Sequence, residues 1–178
     1  MANLHLIIGP MFSGKTTELL RIAKRLKSIN LHVLLLNYNE DTRYSDTEMT
    51  THDKTSLPCT FVNKLFEIKD ISEYDVICIN EAQFFEDLVP FCKEALKQNK
   101  NIYACGLDGD FKQEKFGQLL ELVPLSDSIT KLHAFCSICK NGTQAHFTKR
   151  LTKNVEQKMI GTTEYIPVCR NHLCESDL

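Results

Sequence analysis

A chain of 178 residues, 43% hydrophobic and 25% charged, has the composition of a soluble globular domain with room for a small appendage. A formal net charge of −2 leaves no basic excess for a nucleic-acid partner, and no apolar run approaches the length of a membrane span. Eight cysteines without a signal-peptide pattern point to a reducing, cytoplasmic setting, where cysteine pairs hold metal more often than they form bridges.

Residues 4–8, LHLII, read as a strand. They lead into Gly9-Pro10-Met11-Phe12-Ser13-Gly14-Lys15-Thr16, which matches the phosphate-binding pattern G-x-x-x-x-G-K-[ST] at every fixed position. An amphipathic run over 17–30 follows, with Leu19, Leu20, Ile22, Ala23, Leu26 and Ile29 at helical spacing. Strand, loop and helix in this order are what the motif requires. The glycines let the backbone curl its N–H groups around a polyphosphate, and the helix adds its positive end. Lys15 is expected to reach the β- and γ-phosphates, and the Thr16 hydroxyl to touch Mg²⁺.

A second strand is expected over 32–38, a nearly continuous apolar run suited to a parallel sheet covered on both faces. Residues 39–58 are polar and irregular, a connection long enough to suggest function. Within it Asp41 and Arg43 closely follow the strand, where ligand sites of open α/β sheets occur. They are either a solvated ion pair or a phosphate-holding cation with its carboxylate. A short strand and helix are assigned to 61–71 and a central strand to 74–80. That strand runs into Glu81, either a surface turn residue or a carboxylate placed to take a proton from a substrate hydroxyl. Phe84 and Phe85 either close the core or offer a face to a base. A helix over 88–98 and a strand over 102–107 come next, then the turn Asp108-Gly109-Asp110-Phe111 and a short helix over 116–122 closed by Pro124. Alternating strands and helices of this kind predict a three-layer α/β domain with a mostly parallel sheet.

The pattern changes near residue 132. Cys136 and Cys139 form a C-x-x-C, and Cys169 and His172 a C-x-x-H. Three thiolates and one imidazole suit a closed, structural Zn²⁺ site. A redox C-x-x-C is the rival, but it would sit beside its own strand–helix unit and would not need the second pair. Cys174 is an alternative to His172 as fourth ligand. Cys78 and Cys105, inside predicted strands, read as small buried hydrophobes. The segment between the knuckles has little core of its own. Metal at both its ends would hold it as a loop able to close over a small substrate. Two domains are therefore expected: a P-loop nucleotide-binding core over 1–131 and a zinc-binding lasso over 132–178.

Together these residues resemble the thymidine kinase family of the cellular and large-DNA-virus type. The likeness runs from the Gly9–Lys15 stretch through Asp41-Thr42-Arg43-Tyr44, Glu81-x-Gln83-Phe84-Phe85, Gly106-Leu107-Asp108-Gly109 and Phe116-Gly117. It resumes in Thr148-Lys149-Arg150 and the two knuckles. The resemblance implies ATP-dependent phosphorylation of the 5′-hydroxyl of thymidine and of deoxyuridine. It implies Glu81 as the base, with Lys15 and Arg43 on the phosphoryl group. Met11, Phe84, Leu107, Phe111, Phe116 and Tyr165 match positions lining the nucleoside pocket, and Asp41 and Arg43 its sugar and phosphate end. Thr148, Met159 and Gly161 fall on the lasso that holds the pyrimidine. The resemblance also implies a homotetramer inhibited by the triphosphate end product.

Three departures from the family pattern stand out. Asn80 occupies the place of an aspartate near the Mg²⁺ site, with Asp108 a candidate to supply the missing charge. The loop after Cys139 is longer than usual and the segment before Tyr165 shorter. His172 stands where many relatives have cysteine. Two other classes share some of these features. A nucleotide-driven switch would use the same loop but needs a partner surface, and a nucleic-acid-binding zinc module needs the basic stripe that is missing here. A screen of nucleosides with labelled ATP separates them from a kinase.

Overall fold

Period-two alternation within the apolar runs sorts their side chains onto two faces of one sheet. Leu4, Leu6, Ile8, Leu34, Leu36, Ile77, Ile79, Ile102 and Ala104 pack on one face against Leu88, Phe91, Cys92 and Ala95. Ile7, Leu35, Val76, Cys78 and Cys105 pack on the other against Leu19, Leu20 and Ala23. The computed structural model describes residues 1–39, 48–50, 56–152, 156–157 and 163–174.

In chain order the strands are β1 (Asn3–Ile8), β2 (Val33–Tyr38), β3 (Glu48–Thr50), β4 (Ser56–Pro58), β5 (Thr60–Val62) and β6 (Val76–Ile79). They continue with β7 (Asn101–Gly106), β8 (Ser128–Lys131), β9 (Ala134–Phe135), β10 (Gln144–Ala145), β11 (Phe147–Arg150) and β12 (Tyr165–Val168). The α-helices are α1 (Lys15–Lys27), α2 (Leu88–Lys97) and α3 (Arg170–Cys174). Six strands form one sheet in the order β5-β2-β6-β7-β1-β8. Every neighbouring pair in it is parallel. The carboxyl ends of β1, β2, β6 and β7 therefore lie along one edge, where such sheets bind ligands.

The expected α/β architecture is present, with local differences. Helix α1 starts at Lys15, directly on the phosphate-binding loop. It stops early because Asn30 turns the chain through a positive φ of 64° and Leu31 N–H bonds back to the Leu26 carbonyl. The short helix expected over 116–122 is a 3₁₀ segment, Leu119–Leu125, with Pro124 inside it. Strand β8 was not expected. Its residues are all exposed, and it joins the sheet by pairing with β1 from His5 to Ile8.

Beyond β8 the chain forms two antiparallel ladders, β9 with β10 and β11 with β12. Ala134, Cys136, Ala145, Val168 and Cys169 make a small buried cluster there. Three of its members come from the segments around the two knuckles, so the metal ligands themselves form part of this core.

Candidate active site and metal centre

Chain geometry at the end of β1 forces the loop into shape. A Cβ at Gly9 would lie 2.5 Å from the Leu132 carbonyl oxygen, so no side chain fits. Gly14 starts α1 with a left-handed backbone, φ 81°. Lys15 is buried, and its ammonium donates to the Pro10 carbonyl at 2.7 Å. The Ser13 hydroxyl donates to the same carbonyl at 2.8 Å. Phe12 sits at the loop's tip, exposed, with φ 63°.

The end of β6 faces this loop. The Asn80 carboxamide oxygen accepts from the Thr16 hydroxyl at 3.2 Å and from the Cys105 thiol at 3.0 Å. Its amino group donates to the side-chain oxygen of Asn37, on β2, at 2.9 Å. Both amides are buried. Glu81 follows in a left-handed conformation, φ 51° and ψ 41°, which turns the chain sharply out of the sheet. Burial, followed by the Glu81 charge, pushes the Cys105 thiol well above its ordinary range. Cys78 and Cys92 are likewise pushed up by burial, to about 12, so all three stay protonated as inert core residues. Asp108 is engaged elsewhere, in an ion pair with Lys131 of β8 at 2.7 Å. That pairing argues against its serving as the substitute charge for Asn80.

An aromatic group flanks the strand ends. Phe84 meets Phe116 edge-on at 5.3 Å and Tyr38 at 5.2 Å. Phe85 is fully buried in the core. Phe85 thus closes the core, and Phe84 packs partly buried against the same core. The Leu107 N–H, at the end of β7, donates to the Gln83 side chain at 3.1 Å.

The β11–β12 hairpin covers the loop. The Met11 N–H donates to the Thr148 hydroxyl at 3.0 Å, which joins two residues far apart in the chain. Arg150 lies 3.7 Å over the Phe111 ring and 5.0 Å over the Tyr165 ring, and donates to the Tyr165 hydroxyl. In the sequence Arg150 stands out only as part of Thr148-Lys149-Arg150, and Asn37 is not distinguished within its strand. Their signal was weak, a polar residue inside or ending a strand. Asp41, Arg43, Met159 and Gly161 lie outside the described residues.

The four knuckle residues converge. Their ligand atoms all lie within 4.8 Å of one another. The Cys139 and Cys169 sulfurs are 3.8 Å apart. The His172 Nδ1 is 3.5, 3.4 and 3.4 Å from the sulfurs of Cys136, Cys139 and Cys169. Tetrahedral zinc, with Zn–S about 2.3 Å and Zn–N about 2.0 Å, sets S···S at about 3.8 Å and S···N at about 3.5 Å. The donor set fits that ion. Burial opposes ionisation of Cys136, but backbone N–H groups of Cys139, Cys169 and Ile138, with the His172 ring, outweigh it and bring the thiol down to about 6. Cys174 is exposed at the end of α3 and does not belong to the cluster. His172 is thus the fourth member.

A phosphate-binding loop opening a helix at the carboxyl edge of a parallel sheet defines a P-loop nucleotide-binding protein. The β11–β12 hairpin meets that loop through the Met11–Thr148 bond, and a zinc-type cluster lies at the ends of the same segment. The sequence model described as "Thymidine kinase" matches residues 2–173, and the chain belongs to that family. Thymidine kinase from Oryza sativa subsp. japonica is 41% identical, over 99% of this chain and 68% of the relative. Thymidine kinase a from Arabidopsis thaliana is 42% identical, over 94% and 73%. Thymidine kinase from Myxoma virus (strain Uriarra) is 40% identical, over 94% of each chain. Among solved structures, domain III of the Thermotoga maritima replication initiation protein DnaA is similar at a TM-score of 0.47 and 19% identity, over 73% of this chain and 54% of that one. A likeness that remote carries no argument about function.

Proposed function

We propose that the chain transfers the γ-phosphoryl group of ATP to the 5′-hydroxyl of thymidine, and of deoxyuridine, with the roles that follow. Family membership carries the reaction. The observation that supports the site is the Met11 N–H to Thr148 hydroxyl bond, because it sets the hairpin against the phosphate loop. The backbone of Gly9 to Thr16 cradles the phosphates, with Lys15 on the transferred group. Thr16 is the residue that would hold Mg²⁺, which when bound offsets phosphate charge. Glu81 orients the 5′-hydroxyl and accepts its proton, and Arg43 offsets charge on the phosphoryl oxygens. Met11, Phe84, Leu107, Phe111, Phe116 and Tyr165 line the nucleoside side, Asp41 the sugar end, and Thr148, Met159 and Gly161 the base. Positioning and charge complementarity supply most of the acceleration, since no covalent intermediate on the protein is needed.

Residues 1–131 are read as the kinase core and 132–178 as a zinc-bearing lasso. The small separate core around Cys136 and Cys169 supports that division. Assembly as a homotetramer, from the resemblance, and a cytoplasmic location, from the cysteine usage, belong to the same proposal. No helix among the described residues is long and apolar enough to cross a membrane.

The test is product analysis with ATP, Mg²⁺ and a panel of nucleosides. Thymidine 5′-monophosphate is the expected product. Nucleoside-stimulated ATP hydrolysis without a phosphorylated nucleoside would overturn the kinase reading.

A further inference from the structure

We propose that Gln83 is the positioning residue of the reaction: its side chain fixes the Glu81 carboxylate and ties it to the end of β7. The inference rests on the reading of Glu81 as the base.

Gln83 is 2% exposed, on the 3₁₀ turn Ala82–Phe84 that follows Glu81. Its amide has two chemically different ends, and its neighbours decide which end points where. A backbone N–H can only donate. The Leu107 N–H lies 3.1 Å from one end of the amide, so that end must be the oxygen, Oε1. The amino group Nε2 then faces Glu81 and donates to its Oε2 at 2.6 Å. The arrangement is consistent only if Glu81 accepts, which favours its ionised form. A general base needs that form.

Two glycines give this side chain its place and prevent escape from it. A Cβ at Gly106 would lie 2.2 Å from Gln83 Oε1 and 2.8 Å from Leu119 Cδ2. A Cβ at Gly117 would lie 2.0 Å from the Gln83 carbonyl oxygen, and Gly117 also has a left-handed φ of 58°. The Gly106 backbone thus packs on the amide, and the Gly117 backbone on the main chain of Gln83. One side chain thereby bonds both the strand end that carries Leu107 and the turn that carries Glu81. Burial, with the Glu81 charge beside it, keeps the Cys105 thiol protonated, so it adds no competing anion near the carboxylate.

The experiment is a set of pH–rate profiles with thymidine for the full chain and for Gln83→Met, Gln83→Glu, Glu81→Gln and the Glu81→Gln/Gln83→Met double variant. Gln83→Met keeps the length and removes the donor. We expect kcat to fall by roughly 10- to 100-fold, thymidine KM to stay within about 3-fold, and the acidic limb to move to higher pH. Gln83→Glu should move that limb further, because two carboxylates then share the contact. In the Glu81→Gln background, Gln83→Met should cost less than about 2-fold more, as expected of a residue acting through another. If Gln83→Met does not fold, Gln83→Glu, with its near-identical shape, decides alone. Equal losses in both backgrounds with an unmoved acidic limb would make Gln83 merely structural and overturn the inference. Near-native turnover by Glu81→Gln would instead overturn the base reading, and this inference with it.

Discussion

Asn80 is held by three partners at once, and each restricts what a substitution can do. Its oxygen takes the Thr16 hydroxyl and the Cys105 thiol, and its amino group satisfies Asn37. An aspartate there would bring a negative charge to Thr16 but would set oxygen against the Asn37 oxygen. Asn80→Asp should therefore lower the Mg²⁺ concentration for half-maximal rate while lowering the melting temperature, by an amount that reflects roughly 1–3 kcal/mol for the disturbed buried amide. Magnesium titration at saturating ATP and a thermal melt of both proteins measure the two effects. An unchanged magnesium midpoint would show that position 80 does not tune the metal. At the neighbouring position, Glu81→Gln keeps size and loses the carboxylate, and kcat should drop on the order of 10²-fold or more with little change in thymidine binding. Single-turnover kinetics with equilibrium binding separate those two quantities.

The hairpin of β11 and β12 shows how an element with little core of its own gains a fixed position. Lys149 donates to the His172 carbonyl at 3.0 Å, and Arg170 lies 4.6 Å over the Phe147 ring. Ser137 N–H bonds to the Pro167 carbonyl at 3.0 Å. Both knuckles thus grip the hairpin, and the hairpin carries Thr148 to the phosphate loop. Removing zinc, or replacing Cys136 by Ala, should loosen β11 and β12 and raise thymidine KM more than it lowers kcat. Hydrogen exchange of the amides of Phe147–Arg150 and Tyr165–Val168, together with elemental analysis, checks this. Protection that survives full loss of zinc would sink the anchoring role. The knuckles were legible in the sequence because ligand chemistry demands those residue types at that spacing. The strands β1, β2, β6 and β7 were legible because continuous apolar runs have few other uses. Strand β8 was not legible: Ser-Ile-Thr-Lys is short, polar and exposed, and only its backbone pairing with β1 makes it a strand. The amide network of Asn37, Asn80 and Gln83 was hidden for a different reason. Carboxamides carry no spacing rule, and their meaning comes from partners brought by the fold.

At the scale of the whole molecule, a buried cation joins the core to the zinc-bearing segment, in addition to the Met11–Thr148 contact. Arg150 leaves β11 to lie over Phe111, a residue of the loop after β7, and over Tyr165 of β12. It donates to the Tyr165 hydroxyl and to the carbonyls of Glu156, at 2.5 Å, and Gln157, at 3.5 Å. Gln157 in turn donates to the Asp110 carboxylate at 2.7 Å and to the Lys115 carbonyl at 3.2 Å. The other Asp110 oxygen accepts from the Lys112 and Glu114 N–H groups, at 2.8 and 2.9 Å. Three other segments therefore converge around one guanidinium, and two of the residues proposed for the pocket, Phe111 and Tyr165, contact it. Loss of the cation should consequently be felt on the nucleoside side. Methionine fills much of the same space without donating, so Arg150→Met removes the bonds while limiting the cavity. Thymidine KM should rise about tenfold, equivalent to about 1.4 kcal/mol, a part of what charge-assisted bonds commonly contribute. ATP KM and zinc content should hold, and kcat should stay within a few-fold. Arg150→Lys keeps the charge but loses the planar fork, and should fall between the two. Steady-state kinetics in both substrates decide the matter: a fall in kcat with thymidine KM unmoved would place Arg150 outside the closure of the pocket.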